Sequence, residues 1–124
     1  MKTYAYQLDI QWEKKKDNFR KIRKLTELHQ PDKGSLIILP EMFATGFSMN
    51  TEITQEKEDG PSVNFLKTFA SETGCYVIGG MTQTKAIGKP TNDALLISPD
   101  GRRMGEYSKI HPFSLGKEDK HYAD

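Results

Sequence analysis

Cysteine is nearly absent from the chain, since Cys75 is the only one among 124 residues. One thiol cannot form an intrachain disulfide, and it excludes metal sites built from paired cysteines. No stretch of the sequence contains the roughly 18 consecutive apolar residues that a membrane-spanning helix needs. Residues 1–4 lead into a strand pattern rather than into the apolar region of a signal peptide. Neither sign of charge dominates, because 18 basic and 17 acidic residues leave a net charge of +1. We therefore expect a cytoplasmic protein that has no membrane partner. We also expect it not to bind nucleic acid, because it has no long-range electrostatic field of one sign.

Short apolar segments of two periodicities organise the sequence. Alternating or continuous apolar runs predict strands, and recurrence every three to four residues predicts helices. The predicted strands are 3–10, 35–39, 75–80, 94–98 and 102–109, and the predicted helices are 14–30 and one that opens at 60–62 and ends at Gly74. The resulting order, βαβαβββ, indicates an α/β layered domain.

Glu41 follows directly after a predicted interior strand that ends at Pro40. Open α/β sheets carry their chemistry beyond the carboxyl ends of such strands, so Glu41 lies where a catalytic group is expected. The segment alone favours a plainer interpretation, a helix-start or solvated loop carboxylate. The predicted loop 41–59 is longer than most loops without a function.

Lys109 occupies a similar position at the end of the last predicted strand, 68 residues after Glu41. A carboxylate and an ammonium group that meet at one sheet edge could serve as a general base and as a clamp for a developing oxyanion. An exposed strand-end lysine is the alternative interpretation.

Four ordered motifs resemble the nitrilase, or carbon-nitrogen hydrolase, superfamily, and within it the omega-amidase-like branch. The resemblance covers essentially the whole chain. The motifs are the opening strand 7–12, the glutamate motif 39–47, the strand and turn 92–101, and the lysine motif 107–113 followed by Glu118 and 121–122.

The resemblance implies an αββα sandwich and a Glu–Lys–Cys triad that needs neither metal nor cofactor. Glu41 would be the general base, Lys109 would stabilise the tetrahedral intermediate, and Glu118 would position them. The reaction implied is hydrolysis of a small linear amide by water, such as a dicarboxylate monoamide like 2-oxoglutaramate, to acid and ammonia. The complete protein would be a homo-oligomer, most simply a dimer.

The nucleophilic cysteine of the family follows the lysine segment, beyond the last residue of this sequence. Cys75 belongs to a different motif, and a structural role as a small buried side chain is expected for it. Residues 1–124 are therefore expected to be the amino-terminal portion of one carbon-nitrogen hydrolase domain, truncated before the nucleophile strand and inactive alone. A nitrile hydrolase of the same superfamily and a non-catalytic interaction fragment remain alternatives.

Three other interpretations receive little support. Glu41 and Glu118 could be the paired carboxylates of a glycosidase, but Lys109 has no natural role in that chemistry. The three histidines, His29, His111 and His121, lack the spacing of a metal motif. The basic residues of 14–24 are expected to form a solvated helix face rather than a nucleic-acid surface.

Overall fold

The computed structural model describes residues 1–123, so the predicted domain range of 1–124 ends one residue outside it. Strands and helices alternate through the first two thirds of this part of the chain. The strands are β1 (Thr3–Ala5), β2 (Leu36–Ile38), β3 (Gln55–Glu56), β4 (Tyr76–Gln83), β5 (Thr91–Ile97) and β6 (Arg103–Ser108), and the helices are α1 (Lys15–His29), α2 (Thr51–Thr54), α3 (Pro61–Thr73) and α4 (Glu118–His121).

One mixed sheet runs through the molecule in the order β1-β2-β4-β5-β6. β1, β2 and β4 are parallel, whereas β5 and β6 continue the sheet as antiparallel neighbours. Parallel neighbours need a crossover connection, and α1 and α3 supply it. The predicted α/β class is confirmed, and the carboxyl end of β2 lies beside the middle of β4.

Helices α1 and α3 cover one face of the sheet. Phe19 of α1 and Phe65 of α3 stack with ring centroids 4.4 Å apart. Ile22, Val77 and Leu95 are completely buried in the same apolar cluster. Burial of each such aliphatic side chain contributes about 1.5–3 kcal/mol relative to exposure, so this helix layer holds β4 and β5 firmly.

The opposite face of the sheet is apolar as well. Ile38, Ile78 and Leu96 lie in one row of the sheet register and are only partly buried, and Tyr107 on β6 is 60% exposed. Sheets in which parallel strands are apolar on both faces are normally covered on both. This open apolar face is adjacent to the carboxyl end of β2.

The largest differences between the predicted elements and the structure are in the first strand and in the predicted loop 41–59. The first strand is Thr3–Ala5 rather than 3–10, because its partner β2 offers only three paired residues before Pro40. The predicted loop 41–59 contains α2 and β3. The β3 residue Glu56 is buried and accepts hydrogen bonds from the backbone N and Oγ of Ser62, which fixes the start of α3. One helical turn and a two-residue strand are too short to produce a periodic pattern.

Candidate active site

Glu41 lies in a tight turn that leaves β2 at Pro40. Met42, the next residue, has φ 49°, a left-handed conformation that costs a non-glycine residue about 1–2 kcal/mol. The turn is held by the backbone N of Phe43, which donates to the carbonyl oxygen of Gly80 over 3.1 Å. Because Met42 and Phe43 are both buried, the packing of the turn offsets this cost and fixes where Glu41 begins.

Gly80 allows β4 to approach the Glu41 turn. A Cβ atom at residue 80 would lie 2.8 Å from Cα of Glu41 and 3.0 Å from the backbone N of Met42. We expect Gly80→Ala to lower the free energy of unfolding by about 1–3 kcal/mol, because backbone rather than a flexible side chain must move. Urea unfolding of the gene-encoded, full-length protein measures this change. Gly105→Ala on β6, where nothing lies within 4 Å, is the matched control; equal stability of the two variants would contradict the prediction.

Lys109 and Glu118 reach the same place from the other end of the chain. Lys109 follows β6, and its backbone N donates to the carbonyl oxygen of Asn92 on β5 over 2.8 Å. Glu118 is the first residue of α4, and its Oε2 accepts a short hydrogen bond from the backbone N of Phe113. The three predicted site residues are thus positioned by β2, β6 and α4.

The three side chains are in direct contact. Nζ of Lys109 lies 2.9 Å from Oε1 of Glu41 and 3.0 Å from Oε2 of Glu118. The exposed fraction of the side chain is 49% for Glu41, 30% for Lys109 and 0% for Glu118. The cluster therefore has one buried carboxylate beneath an ammonium group and one carboxylate that solvent or a ligand can reach. The ring of Phe47 lies 5.1 Å from Nζ of Lys109.

Hydrogen bonds keep the two inner groups of this cluster charged. Burial lowers the pKa of Lys109, but hydrogen bonds to Glu41 and Glu118 outweigh burial and raise that pKa above its ordinary value. Burial raises the pKa of Glu118, but the Phe113 backbone N–H, the Asn92 amide and Lys109 together bring that pKa below its ordinary value. Around neutral pH the cluster holds an ammonium ion against a buried carboxylate.

Asn92 is a site residue whose role the sequence does not predict, although the residue belongs to the motif 92–101. Its side-chain amide donates to Oε1 of Glu41 over 2.7 Å and to Oε1 of Glu118 over 3.1 Å. The residue is buried on β5, which begins three residues earlier than predicted. A polar residue beside a predicted apolar strand was the only available sign of this role.

Tyr122 anchors the segment that carries Glu118. Its hydroxyl donates to the carbonyl oxygen of Ser48 over 2.6 Å and lies 2.7 Å from Oγ1 of Thr54. The side chain is 1% exposed. An isolated helix of four residues has little stability of its own, so this buried contact holds α4 against the segment between β2 and β3.

Two cavities adjoin the charged cluster. One of about 570 Å³ has aromatic and aliphatic walls, and another of about 310 Å³ extends towards the open apolar face of the sheet. The larger is lined by Glu41, Phe47, Lys109, His111, Pro112, Phe113, Ser114 and Leu115. This volume is suited to a small molecule.

The single cysteine lies away from the cluster. Cys75 precedes β4 and is level with the start of β2, whereas Glu41 follows the end of β2. Its buried thiol donates to the carbonyl oxygen of Asp32 over 3.3 Å. Within residues 1–123, no group of three or more His, Cys, Asp or Glu side chains could hold a metal ion. No helix in this range combines the length and apolar character needed to cross a membrane.

A mixed α/β sheet places a carboxylate and an ammonium group at its strand ends, against a buried carboxylate on α4, and this arrangement accompanies the family to which the chain belongs. The chain belongs to the carbon-nitrogen hydrolase family, whose model, described as "Carbon-nitrogen hydrolase", matches residues 3–123. The family predicted from the four motifs is thereby confirmed.

Named relatives agree with this assignment. A nitrilase from Pyrococcus abyssi is 35% identical over 101 residues, which are 77% of this chain and 38% of the relative. An omega-amidase from Yersinia enterocolitica is 32% identical over 123 residues, or 98% of this chain and 46% of the relative. The chain therefore spans less than half the length of these relatives.

A solved structure has the same fold. The crystal structure of a CN-hydrolase superfamily protein from Xanthomonas campestris, with an arsenic adduct in its active site, matches with a TM-score of 0.85 at 32% identity. The match covers 98% of this chain and 44% of that chain. The predicted nitrilase-like fold is confirmed, with one sheet and one helix layer contributed by this chain.

Proposed function

We propose that this chain supplies the base and the oxyanion-stabilising group of an amidase that hydrolyses small linear amides to acid and ammonia. The observation that carries the proposal is the contact of Glu41, Lys109 and Glu118 at one sheet edge in a member of the carbon-nitrogen hydrolase family. The three residues lie up to 77 positions apart in sequence, from Glu41 to Glu118, yet their charged atoms form one cluster.

Glu41 is proposed as the general base. Its Oε1 accepts hydrogen bonds from Asn92 and Lys109, and its Oε2 has no hydrogen-bond partner among residues 1–123. The free oxygen is available to take a proton from a thiol. Returning that proton to the leaving nitrogen releases ammonia, and the same oxygen then activates a water molecule.

Lys109 is proposed to stabilise the tetrahedral intermediate. Two of the three N–H groups of its ammonium are directed at Glu41 and Glu118, which leaves one donor for a developing oxyanion. The Glu118 carboxylate beneath it keeps the ammonium charged and in place. A preorganised cation beside the carbonyl oxygen lowers the barrier because it needs no reorientation during the reaction.

The nucleophile is proposed to be a cysteine outside these 124 residues. Cys75 does not suit the role because its thiol is buried at the other end of β4. With that cysteine, the balanced sequence is attack of the thiolate on the amide carbon, loss of ammonia, and hydrolysis of the thioester to a carboxylic acid and the free thiol. Residues 1–124 alone are then inactive. The complete enzyme is proposed to be a homodimer, as the family resemblance implies, and to be cytoplasmic, as the sequence pattern predicts.

The proposed substrate class is a dicarboxylate monoamide such as 2-oxoglutaramate; it is supported by the omega-amidase relative and by a 2-oxoglutaramate amidase from Bacillus subtilis that is 26% identical over 113 residues. We expect the gene-encoded protein to release ammonia from 2-oxoglutaramate and succinamate with a kcat/KM at least about tenfold above that for butyramide, which lacks the distal carboxylate. A coupled glutamate dehydrogenase assay measures the ammonia. Equal rates for succinamate and butyramide would contradict the proposed substrate class.

Nitrile hydrolysis is the second candidate, because the Pyrococcus relative is a nitrilase. The same assay with butyronitrile in place of butyramide separates the two activities, since each gives ammonia from a different bond. Turnover of the nitrile without the amides would replace the amidase proposal. If none of these substrates releases ammonia, the proposed substrate classes are wrong, and a non-catalytic interaction protein becomes the favoured alternative.

A further inference from the structure

Asn92 contacts every charged residue of the proposed catalytic cluster without carrying a charge itself. We propose that Asn92 is a positioning residue, whose side-chain amide sets the separation and orientation of the Glu41 and Glu118 carboxylates around the Lys109 amine. The inference rests on the proposed amidase function and deepens it, because it assigns a role to a residue outside the Glu–Lys–Cys triad.

The geometry forms a closed ring of four side chains. Nδ2 of Asn92 donates one hydrogen to each carboxylate. It lies 2.7 Å from Oε1 of Glu41 and 3.1 Å from Oε1 of Glu118. Lys109 bridges the same two carboxylates from the other side, at 2.9 and 3.0 Å. Each carboxylate is therefore held between an amide and an ammonium group.

The main chain of Asn92 reinforces the ring. Its carbonyl oxygen accepts the backbone N–H of Lys109 over 2.8 Å, so the residue fixes where the lysine side chain begins. Asn92 is 4% exposed, and its β5 backbone pairs with Thr82 of β4. A side chain so enclosed has few alternative rotamers, and its amide is preorganised for both carboxylates.

An uncharged donor suits this position for an electrostatic reason. The titratable groups that face it are Glu41 after β2, Lys109 after β6, and Glu118 on α4; the Tyr122 hydroxyl interacts with Glu118. Two carboxylates that converge on one lysine repel each other, and this repulsion favours protonation of one of them. The Asn92 amide offsets the repulsion with two N–H donors and cannot take the proton that Glu41 must accept.

The test is Asn92→Asp in the gene-encoded protein. Aspartate keeps the size and shape of the side chain but replaces the shared amide donor with an oxygen of a third carboxylate. We expect kcat to fall about 10²-fold with KM within about threefold, because displaced catalytic groups cost rate more than binding. The acid limb of the kcat/KM profile shifts to higher pH, since a third carboxylate favours the protonated form of its neighbours. Asn92→Ala should lower kcat with a smaller shift of the acid limb.

Asn18→Asp is the matched control. Asn18 is also buried, and its amide donates to the carbonyl oxygens of Gln11 and Ala44 rather than to a charged side chain. The Asn18→Asp variant should have a lower Tm, and the acid limb of its kcat/KM profile should stay at the pH of the parent protein. Two results together would overturn the inference. The acid limb of the kcat/KM profile of Asn92→Asp would lie at the same pH as in the parent protein, and its activity would fall only in proportion to its Tm, as in the control. Asn92 would then be merely structural.

Failure of the proposed function gives a different result. If the parent protein releases no ammonia from the amides, the amidase proposal fails; if Glu41→Gln is as active as the parent, the proposed role of Glu41 fails. The inference about Asn92 is then decided by ¹³C NMR titration of the glutamate carboxyl groups. A higher titration midpoint for Glu41 or Glu118 in Asn92→Asp supports it, and unchanged midpoints overturn it.

Discussion

Glu41→Gln is expected to reduce ammonia release by on the order of 10³-fold or more. Glutamine keeps the length of the side chain but has no carboxylate to take the proton of a thiol or of water. Its Oε1 can still accept the Asn92 and Lys109 hydrogen bonds that the parent carboxylate accepts at 2.7 and 2.9 Å. KM should change little, because the loss concerns proton transfer rather than binding.

Glu52→Gln is the matched control for this variant. Glu52 is an exposed residue of α2 on the same segment of chain, and an identical substitution there should leave the rate within about twofold of the parent. Steady-state kinetics under identical conditions compare the two. Ammonia release from Glu41→Gln at the rate of Glu52→Gln would show that Glu41 is not the general base.

Lys109→Ala is expected to lower kcat by about 10²–10³-fold, the cost of removing one donor to a developing oxyanion. It should also lower the free energy of unfolding by about 1–3 kcal/mol, because Glu118 is fully buried and loses its cation. The loss is moderated by the Asn92 amide and the Phe113 backbone N–H, which still donate to Glu118. The partial exposure of Lys109 moderates it further, since solvent already screens the ion pair.

The stability difference between the parent and Lys109→Ala should depend on pH. The pKa of Glu118 lies below its ordinary value of 4.5 in the folded parent, so its ionisation stabilises the fold above pH 4.5 and ceases to do so as pH falls through the folded pKa. The pKa of Lys109 lies above its ordinary value of 10.5, so its contribution is present below pH 10.5 and is lost as pH rises through the folded pKa. The difference should be largest between about pH 5 and 10 and should shrink in acid.

Urea unfolding at pH 7 and pH 3, with Lys120→Ala as the control, measures this dependence. Lys120 is an exposed lysine of α4, so its loss should change stability by less than about 0.5 kcal/mol at either pH. A stability loss in Lys109→Ala that does not shrink at any pH down to acid unfolding would mean that the ion pair with Glu118 contributes nothing to the fold.

The strand-end residues of the site could be predicted because they follow strong local patterns. The apolar run before Pro40 predicts where β2 ends, and the turn at 99–101 returns the chain along β6 to Lys109. Once both strands belong to one sheet, Glu41 and Lys109 share an edge. Their roles in catalysis stay predictions.

The tertiary determinants of the site could not be predicted in this way. Asn92 is one polar residue in an apolar strand until β5 pairs with β4 and places its amide between two carboxylates. Gly80 has an ordinary φ and becomes necessary only because the Glu41 turn lies against β4. Likewise, β3 forms only because β4 extends past the end of β2. Each depends on contacts between residues far apart in sequence.

The buried hydroxyl of Tyr122 has a dynamic consequence. Its hydrogen bonds to Ser48 and Thr54, together with the bonds of Glu118 to Phe113, Asn92 and Lys109, retain a four-residue helix of a kind that frays within nanoseconds to microseconds when isolated. Opening of that contact would carry Glu118 away from Lys109 and leave the ammonium group with Glu41 alone. The proposed charge arrangement therefore depends on a local packing contact at a phenol that donates its proton to Ser48 and not to Glu41, Lys109 or Glu118.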